Sequence, residues 1–195
     1  MFIAFEGPDK TGKSTSAANL AASGEAIYNV TKDKHALMQA DHLAAPELPI
    51  TYDRIDWLTH MIYRLALPDH EWNDPRVRTV FAMPDTHLVV KLHKRDRAAG
   101  IQDELYDKGK LASVTRGYAY WTQFLVEYNH AQDFALFKTV TVLEVTNDLE
   151  NGGGFSQRLV DFSSPVFEWG SVAERLVHDD ESLLELLRHE EQNRI

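Results

Sequence analysis

The sequence predicts an α/β fold: a mostly parallel sheet of about five strands with helices on both faces, a three-layer sandwich. Three observations predict it. Short apolar runs alternate with stretches of helical period along the chain. A glycine-bounded turn, from Gly7 to Gly12, joins the first apolar run to the first helical stretch. Residues 139–145 alternate valine with threonine, as strands prefer. The 195 residues fit one domain, 1–195, and show neither a repeat nor a linker.

Taken in order, residues 2–5 form a short apolar strand that stops at Glu6 and Gly7. An alanine-rich helix follows over 13–22, with Ser23 and Gly24 as its stop signal. Residues 26–30 read as a second strand, and 36–45 as a weaker helical stretch that ends at Pro46 and Pro49. A strand is expected over 50–53. From Arg54 the apolar positions Ile55, Leu58, Ile62 and Leu65 keep helical spacing until Pro68. A turn-rich interval, 69–75, precedes a short helical piece, and 88–92 is the next strand. Between it and the strand at 139–145 lies a long helix whose packing face is Val114, Tyr118, Trp121, Leu125 and Tyr128. Residues 151–154 read as a flexible loop, and 182–189 as a terminal helix with leucines on one side and acids on the other.

Composition narrows the function. A hydrophobic fraction of 44% and a charged fraction of 26% are those of an ordinary soluble domain rather than a disordered or fibrous chain. Cysteine is absent, which removes disulfides, thiolate catalysis and cysteine zinc sites and suits a reducing compartment. No leader and no membrane-length apolar run is visible, so a cytoplasmic protein without a membrane partner is expected. The net charge of -10 disfavours a nucleic-acid polymer as partner, since such binding needs a broad basic surface. An anionic small substrate needs only a local basic cluster, and Lys91, Lys94, Arg95 and Arg97 supply one.

The chemistry-bearing motif is Gly7-Pro8-Asp9-Lys10-Thr11-Gly12-Lys13-Ser14. It meets every fixed position of the phosphate loop: glycine, four residues, glycine, lysine, then serine or threonine. Its context, between an apolar strand and a helix, is the one that loop requires. Glycines let backbone N–H groups converge on phosphate, and the helix start adds its positive dipole end. Lys13 supplies mobile charge for the β- and γ-phosphates of ATP, and Ser14 offers a hydroxyl to Mg²⁺. The nucleotide-binding set is therefore Gly7, Asp9, Lys10, Thr11, Gly12, Lys13, Ser14 and Thr15. The fold expected around it is that of the P-loop NTPases.

The wider string Phe5-Glu6-Gly7-Pro8-Asp9-Lys10-Thr11-Gly12-Lys13-Ser14-Thr15 resembles the thymidylate kinase family. The resemblance implies that Asp9 meets the sugar 3′-hydroxyl of an acceptor nucleotide and that Lys10 approaches the transferred phosphoryl. Asp53-Arg54 is similar to the family's Asp-Arg pair at the end of its third strand, with Ile55 in place of the usual tyrosine. There Arg54 would fork onto the acceptor phosphate and Asp53 would help hold Mg²⁺ or its waters. Met83-Pro84-Asp85 is similar to the Pro-Asp before the family's fourth strand. The basic cluster after it then falls at the start of a lid, about 93–110, with Arg97 the first choice for a catalytic arginine. Glu104-Leu105-Tyr106-Asp107-Lys108-Gly109 resembles a stretch after that lid and puts Tyr106 near the acceptor base. Residues 37–42 lack the family's arginine and phenylalanine grip on thymidylate, and His42 or His60 are the candidates to replace it.

The resemblance implies a nucleoside-monophosphate kinase with ATP as donor and Mg²⁺ as metal. It phosphorylates a deoxynucleoside monophosphate, thymidylate foremost, by direct in-line transfer, and forms a homodimer. The expected catalytic groups are Lys13, Arg54, Arg97 and Lys10; the metal seat is Ser14 with Asp53; the acceptor contacts are Asp9, Asp53, Arg54 and Tyr106. A deoxynucleoside kinase, with Glu6 as a conceivable base, stays open beside this, as does a deoxynucleoside-monophosphate kinase of other or broad base specificity. So does a nucleotide-switch protein that binds a partner without transfer.

Overall fold

The computed structural model describes residues 2–21, 26–29, 44, 50–67, 82–94, 110–131, 136–147, 154–160, 172–176 and 179–192. Eleven elements are numbered in chain order. The strands are β1 (Phe2–Glu6), β2 (Ala26–Asn29), β3 (Ile50–Asp53), β4 (Met83–His93), β5 (Phe137–Asn147), β6 (Phe155–Val160) and β7 (Val172–Leu176). The helices are α1 (Lys13–Ala21), α2 (Asp56–Ala66), α3 (Lys110–Ala131) and α4 (Asp180–Gln192).

They build one seven-stranded sheet in the order β2-β3-β1-β4-β5-β6-β7. The strands from β2 to β5 pair in parallel, and β6 and β7 extend the β5 edge antiparallel. The parallel five match the expected sheet. The antiparallel pair was not expected: β6 reads Phe-Ser-Gln-Arg-Leu-Val, and only alternate residues of it have a core to face. Strand β1 lies between β3 and β4, so the chain leaves it in one direction for β2 and β3 and in the other for β4. This is the sheet's switch point, and ligands of such sheets bind at the strand C-termini there.

Side-chain alternation along β1 separates two cores. Phe2 and Ala4 join Tyr52, Leu88, Val90 and Leu92 under α2 and α3. Ile3 and Phe5 join Val89 and Leu143 under α1 and α4. Helix α2 packs through Trp57, Leu58, Ile62 and Tyr63, whereas Leu65 of the expected face is 60% exposed. Helices α2 and α3 cross closely at Gly117, where a Cβ would stand 3.2 Å from Ile62 Cγ2. Helix α4 is capped by Asp179, whose Oδ1 accepts from the Ser182 N–H at 2.8 Å and its hydroxyl at 2.7 Å.

Several expected boundaries move. Helix α2 begins at Asp56 rather than Arg54, which has a φ of 82° and lies outside the helix. Met83, Pro84 and Asp85 lie inside β4 rather than before it, and His93 is the strand's last residue rather than the start of a lid. The helical stretch at 36–45 lies outside the described residues apart from residue 44, and the turn at 69–75 lies wholly outside them. Among the described residues no helix is long and apolar enough to cross a membrane.

Candidate active site

The loop after β1 is shaped by three residues of positive φ: Gly7 at 137°, Lys10 at 66° and Gly12 at 77°. At Gly7 the requirement is absolute, because a Cβ would sit 2.0 Å from the carbonyl oxygen of Lys91 on β4. Such alternation of left- and right-handed residues turns N–H groups toward one concavity, an anion seat. Two side chains close the loop on itself. Thr11 Oγ1 donates to the Pro8 carbonyl at 2.9 Å, and Lys13 Nζ donates to the same oxygen at 2.6 Å. Lys13 is buried there, and desolvation, followed by the nearby Arg54 charge, brings its pKa down to about 7.

Strand β3 delivers the second half of the site. Asp53 is 6% exposed, and its Oδ2 accepts from the Ser14 hydroxyl at 2.8 Å. Its Oδ1 is buried with no hydrogen-bond partner among the described residues. A buried carboxylate oxygen left unpaired beside a phosphate loop fits a divalent cation, which would take Asp53 and Ser14 as its protein ligands. No group of three or more acidic, His or Cys side chains that could hold a metal occurs among the described residues. Phosphate oxygens and waters would complete such a shell, as is usual for Mg²⁺.

Arg54 follows, its backbone N–H bonded to the Phe5 carbonyl at 2.9 Å. That bond ties the end of β3 to the end of β1 and turns the guanidinium over the loop. The guanidinium pairs with the Asp9 carboxylate and donates at 3.3 Å both to the Gly7 carbonyl and to the Tyr118 hydroxyl. Its carbon lies 5.9 Å from the centre of the Tyr63 ring. Burial works to lower its pKa, but Tyr118, Tyr63, Glu6 and Asp9 together hold it above the ordinary arginine value. A non-glycine residue in this backbone region stores strain on the order of 1 kcal/mol, and such residues cluster at functional sites.

Beneath this pair lies Glu6, fully buried. Its Oε1 accepts from Ile55 N–H at 2.5 Å and Thr59 Oγ1 at 2.8 Å; its Oε2 accepts from Tyr118 O–H at 2.9 Å and Gly7 N–H at 3.2 Å. The carboxylate also stands at the N-terminus of α2, where the helix dipole favours negative charge. Burial nevertheless raises its pKa above the usual carboxylate value. With four donors on its two oxygens, Glu6 is a bracket joining β1, α2 and α3. The role of base suggested by its place beside the loop does not fit that geometry.

Asp9 is fixed from three sides. Oδ1 meets Arg54, Oδ2 accepts from Tyr63 O–H at 3.0 Å, and its carbonyl meets His93 Nε2 at 2.6 Å. Burial holds the His93 pKa below the ordinary histidine value. Lys10 and Thr15 are exposed at the loop, and the Lys10 carbonyl accepts from Asn147 Nδ2 at 3.1 Å.

The structure thus gathers Gly7, Asp9, Lys10, Thr11, Gly12, Lys13, Ser14, Thr15, Asp53 and Arg54 at one point. Arg95, Arg97, Tyr106, His42 and most of the expected lid lie outside the described residues. His60 is 2% exposed within α2, in the core. Lys91 does not belong to the basic cluster. It points from β4 into the α1 side of the sheet, fully buried, where Nζ donates to Ser16 Oγ and lies 5.5 Å from the Phe5 ring centre. Desolvation lowers its pKa to about 8. The alternation of β4 explains this: Val89 and Lys91 share one face, Leu88, Val90 and Leu92 the other. Tyr63, Tyr118 and His93 were missed. Tyr118 entered only as a packing position, and its sole signal was a polar tip on an otherwise apolar face.

Fold and loop together are of the P-loop NTPase type. No protein-family model matches the chain, and no curated protein does either. Among solved structures, the chain is similar to the YorR protein from Bacillus subtilis in complex with phosphorylated GDP, with 22% identity and a TM-score of 0.42 over 62% of this chain and 78% of that one. It is also similar to deoxyadenosine kinase from M. mycoides with bound dCTP, with 14% identity and a TM-score of 0.47 over 74% of this chain and 90% of that one.

Proposed function

We propose that this protein is a nucleotide kinase that moves the γ-phosphoryl group of ATP onto a deoxynucleoside monophosphate, with thymidylate as its preferred acceptor. The observation that carries the proposal is the meeting of two phosphate-directed halves across one loop. Ser14 and Asp53 stand 2.8 Å apart on the donor side, and Arg54 is held against Asp9 on the other. A nucleotide switch needs the first half alone. Transfer between two phosphorylated molecules needs positive charge on both sides of the moving group.

The residues divide the work as follows. On phosphate binding, Lys13 leaves the Pro8 carbonyl for the β- and γ-oxygens, a stronger, charge-assisted partner. Asp53 and Ser14 would hold Mg²⁺, which would supply charge neutralisation at the phosphates. Arg54 receives the acceptor phosphate in a planar fork, and Asp9, oriented by Tyr63 and His93, accepts from the acceptor's sugar hydroxyl. Lys10 and Arg97 supply further charge to the transferring group. Tyr106 lines the acceptor base. A homodimer buries the aromatic edge of α3, where Tyr120 is 70% and Phe124 43% exposed.

The test is ADP release with ATP and Mg²⁺ across the common nucleoside monophosphates and the free nucleosides. The expected result is turnover with monophosphates, fastest with thymidylate. Turnover confined to free nucleosides overturns the acceptor class, and ATP binding without transfer to any acceptor overturns the kinase.

A further inference from the structure

Beside the loop, on the α1 and α4 face of the sheet, lies a cavity of about 830 Å³. That is the size of small-molecule sites, which commonly run about 300–1,000 Å³. One end is formed by Gly12 and Thr15 at the start of α1; Asn19, Asp180 and neighbouring acids form the other. Strand β6 supplies its wall with Phe155 and Gln157. These are two residues apart and so share a face of the strand, and Leu159, the next on that face, packs on the core under α1 and α4.

Two features of that wall point to a ligand. The Phe155 ring stays 41% exposed although it lies against the loop, 3.3 Å from where a Cβ on Gly12 would stand. Gln157 is 2% exposed, yet its Oε1 has no hydrogen-bond donor among the described residues. A buried acceptor left without a donor is costly, and a bound N–H group removes that cost. The charges of the cavity also impose a direction. Phosphates are drawn to the N-terminal end of α1; at the other end Asp179, Asp180 and Glu181 outnumber Arg188, so the balance of charge there is negative and offers acceptors to ribose hydroxyls.

We infer that this cavity receives the base of the phosphoryl donor, with Phe155 stacking on it and Gln157 Oε1 accepting from an exocyclic 6-amino group, so that the site selects a 6-aminopurine over a 6-oxopurine. The inference rests on the kinase proposal for its donor and adds the residues that choose it. A 6-oxopurine presents an acceptor to an acceptor at Gln157.

Isothermal titration of the full chain with ATP and with inosine triphosphate, each with Mg²⁺, tests this. The two differ at the 6-position. Wild type is expected to bind ATP about tenfold more tightly than inosine triphosphate. Gln157→Leu brings that ratio to about one, and Phe155→Ala weakens both ligands about tenfold without changing it. Equal affinities in the wild type, tighter binding of inosine triphosphate, or a ratio untouched by Gln157→Leu overturns the inference. The wild-type ratio needs no variant to fold. If ATP binds and is turned over but the ratio is one, the base site alone is wrong; if neither triphosphate binds, the kinase proposal fails with it.

Discussion

Replacing Tyr118 by phenylalanine isolates the bracket beneath the site. The ring remains, with its edge contact to Tyr63 at 6.5 Å between centres, so packing is conserved. What disappears is the donor to Glu6 Oε2 at 2.9 Å and the acceptor for Arg54 at 3.3 Å. Glu6 Oε2 keeps only the longer bond from Gly7 N–H at 3.2 Å. Losing one hydrogen bond to a buried charge costs about 1.5–3 kcal/mol, and the longer Arg54 contact adds little. In a domain of this size that is a fall in Tm of roughly 5–10 °C. The deficit also depends on pH in a defined sense. Burial holds the native Glu6 pKa above the unfolded value of 4.5, so the native state binds the extra proton and stability falls as pH rises through that window. Removing a donor to the carboxylate raises the native pKa further and lengthens the fall. The variant's deficit is therefore larger at about pH 8 than at about pH 5, the direction in which the carboxyl loses its proton. Urea unfolding at the two pH values measures both. A deficit below about 0.5 kcal/mol at the higher pH, or one that grows on acidification, refutes the bracket.

Three further outcomes follow from the same geometry. Lys13→Ala folds normally and loses at least about a hundredfold in ADP release, since the lysine's charge belongs to the phosphates; near-normal turnover removes the loop from the chemistry. Gly7→Ala places a Cβ 2.0 Å from the Lys91 carbonyl at a φ of 137° and costs about 3 kcal/mol or more; a thermal melt within about 2 °C of wild type contradicts that clash. Lys91→Met removes a buried lysine whose native pKa, lowered by desolvation, is about 8 against an ordinary 10.5. Between those values the unfolded chain binds more protons, so wild-type stability rises with pH, and the methionine variant loses that rise. Urea midpoints at about pH 7.5 and about pH 10 show it, and parallel changes in both proteins assign the rise to another group.

The loop half of the candidate site was legible in the sequence because it is local. Gly7 to Thr15 are contiguous, and a strand, a tight turn and a helix start leave such a segment little freedom in where its groups point. The parallel sheet was legible for a similar reason, since strands buried on both faces read as short apolar runs. Strands β6 and β7 were not, because an antiparallel edge buries alternate residues only and Phe-Ser-Gln-Arg-Leu-Val has no strong period to announce it.

What only the tertiary structure decided is which distant residues meet. The pairing of β1 with β3 brings Arg54 onto Asp9, 45 positions away, and the packing of α3 brings Tyr118 onto Glu6, 112 positions away. Lys91 shows the same dependence in the opposite direction. In the sequence it heads a basic run, but the pleat of β4 turns it inward under α1, because on a strand one residue's difference in register decides between opposite faces of the sheet.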